Sequence, residues 1–328
     1  MTSDARTTSP QLPPLFTFGL HIVTEAAARA AYDWIGRGDR TEGDAAAVAA
    51  MRAQLARLPI DGMVVIGDGE GADHNALPTG EAIGHPRHKA RFDIAVDPIE
   101  GMSYLARGLT NAMAVIAIAP RGTMFTPGPA FYMEKFAGPP AVKGRIDPQA
   151  PVKDKLQEMS RLLDKPISDI TVFVLEKPRH RDLVEQIYAA GARVALYPAG
   201  DVAGALMAAI PDSGIDALMG TGGTPEGVLC ACAIRAMGGE FMGRLDPQLA
   251  TEKKAVEAAG LDTTHWMRIE DLVKSDHVYF CATGITTGLL LDGVERTRHH
   301  ETTQSMMVSG PSGERQVLTT YYRRDGGA

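Results

Sequence analysis

Between residues 170 and 237, short apolar runs alternate with segments of helical spacing. Ile170 to Leu175, Arg193 to Tyr197 and Asp216 to Met219 have the length and composition of buried strands. Arg181 to Ala190, Val202 to Ile210 and Thr224 to Met237 read as the helices between them. Strands that alternate with helices need crossover connections, so this rhythm implies an α/β fold with a mostly parallel sheet. The chain before it fits the same class. Thr24 to Tyr32 is Ala-rich, begins Thr-Glu and reads as a helix N-terminus. Gly36-Arg37-Gly38-Asp39-Arg40 breaks it, and Asp44 opens a second helix running to about Leu58. Met63 to Ile66, Phe92 to Val96, Ala112 to Ala119 and Phe131 to Lys135 read as strands. Near residue 150 the texture changes, with Pro148, Pro151 and a charged stretch. The expected organisation is a flexible tail over residues 1–16, an N-terminal α/β half over 17–160 and a C-terminal α/β half over 161–328.

The 328 residues are 45% hydrophobic and 22% charged, an ordinary globular balance that permits a large buried core. A net charge of -7 argues against a general nucleic-acid binder. No apolar run approaches the roughly 18 residues of a membrane span, so no membrane partner is expected. Met1 to Pro14 is rich in Thr, Ser and Pro and lacks the charged and apolar regions of a secretory signal. Cys230, Cys232 and Cys281 are too few and too odd in number for a disulfide framework. They read as buried thiols and imply a reducing, cytoplasmic location.

The carboxylates fall in a pattern. Asp68 and Glu70 follow one strand, inside Gly67-Asp68-Gly69-Glu70-Gly71. Asp97 and Glu100 follow another, inside Asp97-Pro98-Ile99-Glu100-Gly101. Asp44 sits beside a Gly-rich break, and Glu226 follows Gly220-Thr221-Gly222-Gly223-Thr224-Pro225. Ligand sites in α/β sheets gather at the carboxyl ends of strands. Acidic groups gathered there repel one another unless a cation lies between them. An all-oxygen donor set without histidine suits Mg2+ or Mn2+ rather than zinc. Such ions neutralise phosphate and activate water. Taken singly, Asp44 reads as a helix N-cap and Asp97 as a turn residue; the combination points to a metal centre. Gly220 to Gly223 has backbone N–H groups suited to phosphate, without the spacing of a P-loop or a dinucleotide fingerprint. Lys177-Pro178-Arg179-His180 follows a strand and suits a second anionic group, because cations at a helix N-terminus oppose its dipole.

Six segments carry a family resemblance. They are Trp34 to Asp39, Asp93 to Gly101, Tyr132-Met133-Glu134-Lys135, Lys177 to His180, Gly222 to Gly227 and Ala282-Thr283-Gly284-Ile285-Thr286. In this order, from about Thr24 to about Tyr322, the chain resembles the class II, GlpX-like bacterial fructose-1,6-bisphosphatases. The resemblance implies a layered αβαβα sugar-phosphatase fold of the inositol monophosphatase-like superfamily. It implies Mg2+ or Mn2+, a homodimer or homotetramer, and a small-molecule sugar phosphate as substrate, with fructose 1,6-bisphosphate as the default. It puts the metal on Asp44, Asp68, Asp97, Glu100 and Glu226. It puts sugar-phosphate contacts on Gly101, Met102, Tyr132, Lys177, Arg179, Asp201 and Gly223. Glu70 stands as the base beside Asp97 and Glu100, and Arg40 takes the place of a family Lys near the metal.

This chain departs from the family pattern at several positions. Asp68 replaces Glu, Met102 replaces a Thr whose hydroxyl positions water, and Ala72 and Ala199 each replace Asp. Two alternatives therefore stay open beside the default. One is a sugar-phosphate-binding regulatory or weakly active homologue. The other is a phosphatase for another sugar bisphosphate, such as sedoheptulose 1,7-bisphosphate. Inositol-phosphate and nucleotide phosphatases share the acidic turn, but Tyr132 and the Lys177 to His180 motif weigh against them.

Overall fold

A computed structural model describes residues 14–68, 76–84 and 88–324. Glu70, Ala72 and the first thirteen residues of the expected tail lie outside the described residues. Two mixed sheets organise the chain. The first contains β1 (Gly62–Ile66), β2 (Ala82–Ile83), β3 (Phe92–Glu100), β4 (Met113–Pro120), β11 (Tyr279–Gly284), β12 (Glu295–Arg296), β13 (His300–Ser309) and β14 (Glu314–Arg323). Its order is β12-β13-β11-β4-β3-β1-β2, and β14 pairs with β13 along its length. The second contains β5 (Tyr132–Gly138), β6 (Thr171–Leu175), β7 (Arg193–Tyr197), β8 (Ala217–Gly223), β9 (Glu240–Leu245) and β10 (Met267–Arg268), in the order β10-β9-β5-β8-β6-β7. Both sheets draw strands from residues 17–160 and from 161–328.

The helices fill three layers around these sheets. They are α1 (Pro14–Ala31), α2 (Arg40–Leu55), α3 (Met102–Arg107), α4 (Val152–Leu163), α5 (Arg181–Ala189), α6 (Val202–Ala209), α7 (Thr224–Met237), α8 (Ala250–Ala258) and α9 (Ile269–Leu272). Strand β4 shows how the layers arise. All its residues are buried, and successive side chains point to opposite faces. Ala114, Ile116 and Ile118 lie in one apolar cluster with Val23 and Ala27 of α1 and Met51 of α2. Met113, Val115 and Ala117 lie in a second cluster with Leu206 of α6 and with Leu229 and Ala233 of α7. Helix α6 is apolar on every side and wholly buried, as a helix between two sheets must be. On the far face of the second sheet, Val172 and Val174 of β6 pack against Leu156 and Met159 of α4 and Ile187 of α5. The succession is helices, sheet, helices, sheet, helices, the layered sugar-phosphatase architecture.

Several expectations from sequence change. Only β7-β6-β8 and β1-β3 run parallel; β5 and β9 join antiparallel, and the first sheet is largely antiparallel. The mostly parallel reading fails because β5 and β9 come from segments on either side of the alternating stretch. Helix α2 opens at Arg40 rather than Asp44, since the Asp39 carboxylate caps it by accepting from Glu42 N at 3.1 Å. Helix α1 starts at Pro14, ten residues before Thr24. The glycine run is no loop: Gly220 to Gly223 completes β8 by pairing with Tyr132 to Lys135 of β5.

Candidate active site

The acidic turn ends β3. Pairing between β3 and β4 shifts register between Asp97 and Glu100, which releases this stretch from the ladder. Asp97 Oδ1 accepts from Ile99 N at 3.0 Å, an Asx turn that directs the chain sideways. Gly101 follows at φ +83°, where a Cβ would come within 2.6 Å of the Tyr104 ring, and α3 begins at Met102. Glu100 turns inward to the start of α6, where its Oε1 accepts from Val202 N at 3.1 Å.

Glu226 arrives from the second sheet. Pro225 stands in the first turn of α7, where its fixed φ suits a helix start, and Glu226 follows in the same turn. A carboxylate there is favoured by the helix dipole. Gly223 makes room for it: a Cβ at that position would lie 1.8 Å from Glu226 Oε2. Thus Asp97, Glu100 and Glu226, from two sheets, bring one oxygen each within 4.8 Å of one another.

Asp44 and Asp68 form the neighbouring part of the cluster. Asp44 lies on α2, one turn after the exposed Arg40. Asp68 is fixed by a backbone bridge to Leu77, with both N–H···O bonds at 2.9 Å. Burial, then the Asp68 carboxylate, raises Asp44 to a pKa of about 7. Burial, then Glu100, Glu226 and Asp68, pushes Asp97 well above the usual carboxylate range. Burial, then Glu226 and Asp201, raises Glu100 to about 8. Burial also raises Glu226, against the opposing pull of Lys135.

Five carboxylates drawn into one region disfavour shared ionisation. Two oxygens sharpen the point: Asp44 Oδ1 and Glu226 Oε2 are buried without a hydrogen-bond partner among the described residues. Buried polar atoms are nearly always satisfied. A hard cation would satisfy both oxygens and relieve the repulsion, so the donor set fits a divalent metal bound through oxygen.

The residues expected to hold the sugar phosphate divide. Lys177 is half-buried beyond the end of β6, and Arg179 is exposed nearby. The Arg179 guanidinium donates twice to Thr221 O, at 2.7 and 3.1 Å, and lies 5.2 Å from the centre of the Tyr132 ring. Gly223 pairs with Tyr132 across β5 and β8. Asp201 is buried, and its Oδ2 accepts from Lys135 Nζ at 2.7 Å. Met102 and Ala199 are half-buried and pack against the apolar cluster containing Tyr104. The Tyr104 hydroxyl donates to Ala199 O and accepts from Ala199 N.

His180 corrects the expectation of an anion-binding imidazole. It is buried, its Nδ1 lies 2.7 Å from Leu175 O, and its Nε2 accepts from Thr221 N at 2.8 Å. One donor and one acceptor define a neutral ring, and burial lowers its pKa. It ties β6 to β8. Lys135, the last residue of the Tyr132-Met133-Glu134-Lys135 motif, is a further buried residue of the site that the sequence does not single out. No local pattern marks it, because its partner Asp201 lies 66 residues further along the chain.

The model of bacterial, glpX-encoded fructose-1,6-bisphosphatases matches residues 16–322. "Fructose-1,6-bisphosphatase 1 class 2" of Escherichia coli K12 is 41% identical over 314 residues, covering 92% of this chain and 93% of that one. The class 2 fructose-1,6-bisphosphatases of Escherichia coli O6:H1 and Shigella flexneri are similar to the same extent. Among solved structures, an extragenic suppressor from Pyrococcus furiosus aligns with TM-score 0.31 and 12% identity, over 59% of this chain and 69% of that one.

Proposed function

The chain belongs to the bacterial glpX-encoded fructose-1,6-bisphosphatase family, and from that premise we propose that it hydrolyses fructose 1,6-bisphosphate to fructose 6-phosphate and inorganic phosphate. The observation that carries the reading is the convergence of Asp97, Glu100 and Glu226 within 4.8 Å. Asp97, Glu100 and Glu226 would hold Mg2+ or Mn2+, with Asp44 and Asp68 completing the donor set. Such ions supply Lewis acidity toward the phosphoryl group and make water a better nucleophile.

The protein's own groups do the rest. Glu100 is held by Val202 N and Asp97 by Ile99 N, so these two carboxylates are oriented before substrate arrives. Lys177 and Arg179 clamp the phosphate that is not cleaved, and Tyr132 braces Arg179 from below. Gly101 and Gly223 let backbone approach the sugar phosphate, and Arg40 adds positive charge at the entrance beside Asp44. Asp201 holds Lys135 in place beside the start of α6. Met102 and Ala199 present an apolar wall on the sugar's side.

The three described cysteines are free and buried, which supports a reducing, cytoplasmic setting. Among the described residues, no helix is long and apolar enough to cross a membrane. Membership of the family supports a homodimer or homotetramer. The deciding assay measures phosphate release with Mg2+ or Mn2+ from fructose 1,6-bisphosphate, sedoheptulose 1,7-bisphosphate and inositol monophosphate. Fructose 1,6-bisphosphate should be the best of the three. Release no faster than from a Glu100→Gln control would overturn the reading.

A further inference from the structure

On the outer face of the second sheet lies a cavity of about 630 Å³, within the range of small-molecule sites. Lys155 of α4 and Arg244 of β9 reach it from two sides, together with Trp266. Lys155 Nζ lies 6.0 Å from the Trp266 ring centre and Arg244 Cζ lies 5.6 Å from a ring centre of the same residue. Arg244 is answered by Glu134. Lys155 is half-buried and has no ion pair or hydrogen bond to a described residue; the Trp266 ring is its only contact of this kind. Burial lowers the pKa of Lys155, and Glu134 and Asp147 act on it only from a distance. The Lys155 ammonium therefore faces the open volume of the cavity with no carboxylate paired to it.

The carboxylate cluster lies elsewhere. Glu134 and Arg244 project from the second sheet on the side of α4 and Trp266, whereas Lys135, their neighbour along β5, points the other way to Asp201. Strand β8 nevertheless borders the cavity through Gly220 and Thr221, and Arg179 borders it too. An occupant would therefore touch the strand that ends at Gly223, and the guanidinium held by Thr221 O.

We propose that this cavity binds a phosphate dianion, free or as a small ester, between Lys155 and Arg244 beside Trp266. Two cations that differ in kind suit one such group: the ammonium as a point charge, the guanidinium as a fork. The indole supplies a flat apolar wall for a ring carried on the ester.

The chain has two tryptophans, so Trp34→Phe leaves Trp266 as the sole indole, excited selectively over the tyrosines. In that background the protein is titrated, in Mg2+ buffer, with methylphosphonate and with phenylphosphonate, neither of which a phosphatase can cleave at a P–O ester. The expected result is a saturable change in Trp266 emission. It should weaken by about tenfold in Lys155→Ala, the loss of one charge-assisted contact, and persist in Lys155→Arg. Turnover of fructose 1,6-bisphosphate in the absence of phosphonate should be unchanged in both Lys155 variants. Equal affinity for the two probes assigns the site to free phosphate; tighter phenylphosphonate assigns it to a ring-bearing ester. An absent or unsaturable response, or the same titration in Lys155→Ala, overturns the proposal.

Discussion

Lys135 Nζ lies 2.7 Å from Asp201 Oδ2, with the two side chains 0% and 5% exposed. This pair joins β5 to the chain entering α6, directly behind the carboxylate cluster. Gly222 permits it, since a Cβ there would stand 2.0 Å from Asp201 Oδ2 and 3.1 Å from Lys135 Nζ. Removing one partner of a buried pair commonly costs about 3–5 kcal/mol, because the other charge is left uncompensated. Here the abandoned charge would also face Glu100 and Glu226, both of which feel Asp201. Lys135→Met should therefore lower unfolding stability by about that amount, and Lys135→Met with Asp201→Asn should recover most of it. Urea unfolding of the three proteins measures this. A single variant within about 1 kcal/mol of the parent would contradict the assignment.

The raised carboxylates make stability depend on pH, and the sign is fixed. Glu100 moves from 4.5 to about 8 and Asp44 from 3.8 to about 7. Between the unfolded and folded values the native state binds more protons than the unfolded one. Stability contributed by these protons is complete below about pH 4 and is lost as pH rises through 7 to 8. Metal-free protein should melt at a lower temperature at pH 8.5 than at pH 6. Millimolar Mg2+ or Mn2+ binds the ionised form, so it should reduce or reverse that drop. Thermal melts in EDTA and in metal, at both pH values, test this. A metal-free melting temperature that rises between pH 6 and 8.5 would show that other groups dominate.

The carboxylates were legible because each lies at the end of a local pattern. An apolar run followed by Asp97 or Asp68 is visible within ten residues, and Glu226 follows a glycine run at a helix start. Asp39 was as local as Asp44, but both stand near the same break, and only the hydrogen bond to Glu42 N separates cap from cluster. The Lys135–Asp201 pair spans 66 residues, and no local pattern announces it. The same holds for β5, whose partners β8 and β9 lie far along the chain. Without that pairing the glycine run looks like a loop. His180 misled for a related reason: beside Lys177 and Arg179 it reads as part of a cationic cluster, and its two hydrogen-bond partners emerge only when β6 and β8 come together.

Met102 tests how this chain handles its attacking water. It opens α3 directly after Gly101 and packs against the cluster that includes Tyr104 and Ile99. Its thioether neither gives nor takes a proton at neutral pH. Met102→Thr would place a hydroxyl two residues after Glu100, in the first turn of α3. Turnover of fructose 1,6-bisphosphate should rise by about tenfold or more, with little change in KM. Steady-state kinetics of the two proteins decide it, and a loss of turnover would mean that Met102 itself serves the substrate.

Gly223 offers the most local probe of the cluster. Its φ of -70° suits any residue, so backbone strain does not require glycine there. The requirement is space, because a Cβ would lie 1.8 Å from Glu226 Oε2 and 2.6 Å from its carboxyl carbon. No real contact is that short, so in Gly223→Ala the carboxylate must swing away. The displaced Glu226 would leave Asp97 and Glu100 with a poorer cage. The expected outcome is a fall in kcat of about 10²-fold or more, as when one positioned catalytic group is lost, and a higher metal concentration for half-maximal rate. The fold should persist, with far-ultraviolet circular dichroism unchanged. If Gly223→Ala keeps both the parent rate and the parent metal requirement, Glu226 cannot be held where the cluster needs it, and its place in the site would have to be given up.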